Sequence, residues 1–135
     1  MTGIISGNGE VIFQKEYVSG SGVGGYRDGL LHHTERKFLN DADMIVVSGD
    51  SLYMEGFLNH CKPGYQPAIR TFVQENNVSA TYYATQSQQI FKWQTFNDPK
   101  LKGKVLQTIT NLDGDILGQW RYWQNKNGNW IRAKY

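Results

Sequence analysis

The stretch Gln66-Pro67-Ala68-Ile69-Arg70-Thr71-Phe72-Val73-Gln74-Glu75-Asn76-Asn77-Val78-Ser79-Ala80-Thr81-Tyr82-Tyr83 reads as a helix followed at once by a strand. Ala68, Ile69, Phe72 and Val73 fall on one face at helical spacing, and Pro67 is tolerated in a first turn because its missing N–H would be unpaired there. Asn76-Asn77 ends the helix, and the β-branched and aromatic residues 78–83 predict the strand. Working outward, Leu31, Phe38, Leu39 and Ala42 suit an amphipathic helix over about 31–42. The apolar run Met44-Ile45-Val46-Val47, closed by Ser48-Gly49-Asp50, predicts a strand buried on both faces. Residues 9–18 predict a first strand or hairpin arm, and residues 51–64 an irregular stretch. The resulting order is strand, helix, strand, helix, strand, an α/β layered domain. Beyond it, residues 86–93 suit a further helix. Residues 105–109, 116–123 and 129–133 suit late strands, the last two joined by a tight turn at Asn127-Gly128.

A chain of 135 residues supports one domain, here taken as residues 1–135, and 39% hydrophobic with 19% charged residues excludes intrinsic disorder. No apolar run approaches the ~20 residues of a membrane span, and residues 1–10 lack the regions of a signal peptide. A soluble chain with no membrane partner is therefore expected. The lone cysteine, Cys61, excludes an internal disulfide and the all-cysteine zinc frameworks, so a metal would need mixed ligands such as His33 or His60. Net charge is only +2, but residues 118–135 hold Arg121, Lys126, Arg132 and Lys134 with no acidic residue.

The most informative constellation is His33-Thr34-Glu35 at a helix start, with Cys61 following 26 residues after Glu35 ahead of a second helix. A histidine and thiolates at a helix junction can hold Zn²⁺ and acidify a bound water, and a glutamate two residues after the histidine can move protons without being a ligand.

These residues resemble the cytidine deaminase-like superfamily, and within it the deaminase domains at the C-termini of bacterial polymorphic toxins. The likeness covers about residues 9–83: Tyr17-Val18-Ser19-Gly20 before the triplet His33-Thr34-Glu35, an apolar strand ending in glycine over 44–49, a cysteine heading a helix, and a strand over 78–83. The resemblance implies a three-layer α/β sandwich with a mixed sheet of about five strands and both motif helices on one face. It implies that His33 and Cys61 are zinc ligands, that Glu35 is the catalytic proton shuttle, and that cytosine in nucleic acid, single-stranded DNA above all, is deaminated hydrolytically. A toxin of this kind is delivered by the producing bacterium, acts in the target-cell cytoplasm as a monomer, and has a cognate immunity protein.

The chain departs from the pattern at one place. The family's second helix begins Pro-Cys-x-x-Cys, whereas His60-Cys61-Lys62-Pro63-Gly64-Tyr65 has no second thiol, with Gly64 at the usual spacing and Tyr65 one residue later. Three accounts are open: Tyr65 occupies the place of the cysteine and leaves a weak or empty metal site, His60 substitutes as ligand, or the domain binds without catalysing. A phenol with a pKa near ~10 is a poor zinc donor unless the metal deprotonates it. Tyr53, Phe57 and His60, in the stretch bordering the expected pocket, are candidate substrate contacts. So is Trp123, in a C-terminal strip that mixes aromatic rings with cations. Alternation at Trp120 and Tyr122 also suits a half-buried hairpin, which assigns most of these rings to the sheet.

Overall fold

The computed structural model describes residues 1–18, 34–57 and 66–135. His33, His60, Cys61 and Tyr65 lie outside the described residues. The elements are β1 (Thr2–Gly7), β2 (Glu10–Glu16), α1 (Thr34–Ala42), β3 (Ser51–Gly56), α2 (Gln66–Asn76), β4 (Ser79–Ala84), β5 (Gln89–Thr95), a 3₁₀ turn (Pro99–Leu101), β6 (Val105–Thr110), β7 (Ile116–Gln124) and β8 (Trp130–Lys134). The described strands form one mixed sheet in the order β2-β1-β3-β4-β5-β6-β7-β8. Only β3 and β4 run parallel, joined through α2; every other neighbouring pair is antiparallel.

The α/β class and the mixed sheet are as expected, but the sheet has eight strands, not about five. The described helices touch each other and lie on one face, so the described elements make two layers rather than three. The surplus strands come from the ends of the chain. Asn8 and Gly9, both at positive φ, turn β1 into β2, and the C-terminal half runs as a meander from β4 to β8.

Two readings within the middle of the chain are corrected. Residues 44–47 are not a buried strand: Met44 is 81% and Val47 66% exposed, in the turn after α1. The strand lies seven residues later, in the stretch read as irregular. The buried Asp50 explains the shift, because its carboxylate accepts from the Val47 N–H at 2.9 Å and folds the apolar run back into a turn. Residues 86–93 are a turn and β5 rather than a helix. Phe91 and Trp93, two apart, bury one face of β5, and this period of two overrides the helical reading.

The core lies between this face and the helices. Ile5, Leu52, Met54, Ala80, Phe91, Trp93 and Val105 face Phe38, Leu39 and Ala42 of α1 and Ile69, Phe72 and Val73 of α2. The opposite face carries Tyr53, Thr81, Lys92, Thr108 and Gln119 in register across five strands. Polar and half-exposed side chains of this kind are what a sheet presents on a face that is not packed on the core.

The last two hairpin loops share one chemistry. Asn111 Oδ1 accepts from the N–H groups of Asp113 and Asp115, each at 3.0 Å, and Asn125 Oδ1 accepts from those of Asn127 at 2.9 Å and Asn129 at 3.0 Å. Each loop carries a glycine at its fourth position, and Gly128 has φ +81°. Gly128→Ala is expected to lower stability by about 1 kcal/mol, with Asn125→Ala lowering it by a similar amount. Thermal unfolding measures both, and no change in either would remove the loop from the account of hairpin stability.

Candidate functional site

Glu35 is placed by the first turn of α1, the only acidic residue there, where the helix dipole favours a carboxylate. Its side chain points inward and is buried. The Tyr82 hydroxyl of β4 donates to it. Burial pushes the Glu35 carboxyl above the usual range, while its own backbone N–H, the Tyr82 hydroxyl and the Met1 ammonium oppose that rise. Burial also raises Tyr82, with the nearby Glu35 charge adding to it.

Gly56 completes this contact. A Cβ at Gly56 would collide with the Tyr82 hydroxyl, so the last residue of β3 must be glycine for Tyr82 to reach Glu35. Tyr82 itself stands between Ala80 and Ala84 on the buried face of β4, and the two small neighbours leave room for its ring. The Glu35–Tyr82 pair therefore sits at the carboxyl end of the one parallel strand pair among the described residues, β3 and β4. In open α/β sheets ligands bind beyond the carboxyl ends of strands, where connections diverge. The chain leaves β3 at this end and, after residues 57–65, enters α2.

The other buried carboxylate among the described residues, Asp50, lies at the opposite end of β3 and is accounted for by the Val47 turn. Glu35 lies at the other end, where it accepts from its own backbone N–H and from Tyr82.

The remaining candidates are spread out. Tyr53 projects from the sheet face opposite Glu35 and donates to Glu55 Oε1 at 2.7 Å; burial and Glu55 push its phenol up to about 12. Phe57 follows Gly56 directly and is 66% exposed, an aromatic ring open to solvent at the Glu35 end of the sheet. Trp123 also lies on the opposite face, with Lys104 Nζ 5.3 Å and Arg121 Cζ 5.6 Å from its ring centre. It is three strands away from β4, about 14 Å at the usual strand spacing.

Among the described residues no group of three His, Cys, Asp or Glu side chains could hold a metal ion. A zinc site would draw on His33, Cys61 and Tyr65. One imidazole and one thiolate suit zinc, and the phenol is the weak member of the set. No described helix is long and apolar enough to cross a membrane.

Sequence reasoning missed Tyr82 and Gly56 as site residues. The small-large-small pattern Ala80-Tyr82-Ala84 was the available signal for the first; the second depends on a contact between strands and had none. Comparison with protein-family models, curated proteins and solved structures found no match to this chain.

Proposed function

We propose that the protein is a zinc-dependent hydrolytic deaminase of cytosine in nucleic acid, single-stranded DNA being the favoured substrate. The observation that carries the reading is Glu35: a carboxyl buried in the first turn of α1 and held by a tyrosine at the carboxyl end of the parallel pair. The succession β2, α1, β3, α2, β4, with both helices on one face, supports it too.

In this reading Zn²⁺, when bound, supplies an acidified water at neutral pH. Glu35 would take one proton from the attacking water and give it to the ring nitrogen, then take the proton of the hydroxyl formed at C4 and give it to the amino group, which leaves as ammonia. Tyr82 orients the carboxylate by donating to it, beside the bond from the Glu35 backbone N–H. Burial disfavours the charged carboxylate, so the acid formed when Glu35 takes a proton is a ready donor. The roles of His33 and Cys61 as ligands, and the placing of the protein among bacterial toxins with an immunity partner, rest on the sequence resemblance.

A second reading is favoured by one residue. Tyr65 stands near the place of a zinc thiolate, so the domain could bind nucleic acid or protein through the same scaffold without catalysing.

The experiment is zinc per chain, by elemental mass spectrometry on protein purified without a metal-binding tag, for the parent and for Tyr65→Cys. Tyr65→Cys is expected to raise zinc occupancy towards one per chain, because a thiolate replaces a phenol. Conversion of cytosine to uracil in a single-stranded oligonucleotide is then followed in both, with Glu35→Ala as control. Zinc and turnover in neither protein would overturn the enzyme reading and leave the binding module.

A further inference from the structure

We propose that the helix-side face of β8 is a track for an extended single-stranded nucleic acid, with Arg132 and Lys134 meeting phosphates and the rings of Trp120 and Trp130 receiving bases. This rests on the nucleic-acid part of the reading above and is independent of whether the chain deaminates.

Among the described strands β8 is the outermost, with β7 as its one neighbour. Trp130, Arg132 and Lys134 alternate onto the face that carries Trp120 and Tyr122, since Lys134 pairs with Trp120 and Arg132 with Tyr122. Successive residues on one face of a strand are about 6.6–6.8 Å apart. That step is comparable with the phosphate repeat of an extended single strand, so two adjacent cations can follow two adjacent phosphates. Arg132 and Lys134 are both exposed.

The rings and cations on this face are already arranged against one another. Arg132 Cζ lies 5.5 Å from the Trp120 ring centre, and Arg70 Cζ of α2 lies 4.2 Å from that of Tyr122 and 5.1 Å from that of Trp130. Arg70 is only 6% exposed, and its Nε has no hydrogen-bond partner. Burial acts most strongly against its protonation; Tyr122 opposes that effect, and the nearby Arg132 charge adds to it to a smaller extent. Two guanidinium groups therefore crowd one face, and residues 118–135 contain no acidic side chain to offset them. Aromatic faces compensate a buried cation only in part. A polyanion laid along β8 supplies negative charge, and its bases meet the accessible parts of Trp120 and Trp130, which also pack on the core. The track lies four strand spacings from β4, about 19 Å from the Glu35 site. It would anchor a strand whose neighbouring nucleotides extend towards that site.

The test is fluorescence anisotropy with a labelled oligothymidylate, which has no cytosine to deaminate. Three proteins are compared: the parent, Arg132→Ala/Lys134→Ala, and Lys92→Ala/Lys100→Ala, which removes two exposed charges away from the track. Equal melting temperatures confirm that each variant folds. The β8 pair is expected to weaken binding about tenfold and to reduce the slope of log K against log salt by about 1.4, the value for two lost single-strand contacts. The control pair should change affinity less than threefold, and a duplex should bind more weakly than the single strand. Equal losses in both pairs would reveal diffuse charge attraction and overturn the track. Absence of parent binding, or a duplex bound as tightly as the single strand, would overturn it as well. A parent that binds the oligothymidylate but never deaminates a cytosine-containing strand would sink the enzyme reading and leave this one standing.

Discussion

Glu35→Gln is expected to reduce cytosine deamination by about 10²–10⁴-fold, the usual contribution of a positioned proton-transfer group, while making the fold more stable at pH 7. Glutamine keeps the shape of the side chain, and its carbonyl oxygen can still accept from Tyr82, but it cannot exchange a proton. The stability gain follows from burial, the main reason the carboxyl is raised. A raised folded pKa means that the native state holds its proton over a pH range where the unfolded chain has lost it. Stability from this group is complete below the ordinary glutamate value of about 4.3 and is lost as the pH rises through the folded value. The glutamine variant carries no such loss, so its advantage should be present at pH 7 and vanish below about pH 4.3. Urea unfolding of both proteins at neutral and acid pH measures it. A glutamine variant less stable than the parent at pH 7 would mean that the ionised carboxylate is well solvated or firmly paired, contrary to its burial.

Gly56→Ala is expected to destabilise the protein by about 2–4 kcal/mol, combining overpacking with a displaced hydrogen bond to a buried carboxylate. The added methyl would occupy the position of the Tyr82 hydroxyl. Tyr82 cannot withdraw freely, because its ring is buried on the face that α1 and α2 cover. The collision is with the hydroxyl first, so a Tyr82→Phe background should tolerate Gly56→Ala much better than the parent does. A double-mutant cycle is expected to give a coupling above about 1 kcal/mol. Strict additivity would show that the glycine is required for some reason other than room for Tyr82. In an active preparation, Tyr82→Phe alone should lower turnover through misplacement of Glu35, since Tyr82 is a positioning residue in the proposed reaction.

Taken together, these two substitutions separate the chemistry of the site from its support. Glutamine at 35 removes the proton carrier and keeps the packing, whereas alanine at 56 keeps the carboxyl and removes the space in which it is held.

The sequence by itself determined the α/β class, α2 with the strand that follows it, and the three late strands to within a residue or two. In each case local periodicity and turn chemistry agreed with the packing: Ile69, Phe72 and Val73 are buried as their spacing requires, and Asn127-Gly128 turns the last hairpin. The sequence also singled out Glu35, which the fold buries in the first turn of α1. Tertiary structure decided where hydrophobicity alone misleads. Met44-Ile45-Val46-Val47 is the more apolar run, yet Ser51–Gly56 is the strand, because the Asp50 carboxylate captures the Val47 N–H and the alternating Leu52 and Met54 pair with both β1 and β4. Tertiary structure also separated residues that are neighbours in sequence: Trp123 and Tyr122 lie on opposite faces of one strand, and Tyr53 faces away from Glu35. The partners of Glu35, Tyr82 and Gly56, come from two strands 26 residues apart in the chain. No local pattern can encode such a meeting, because it depends on the parallel register of β3 and β4 and on the helix laid across them.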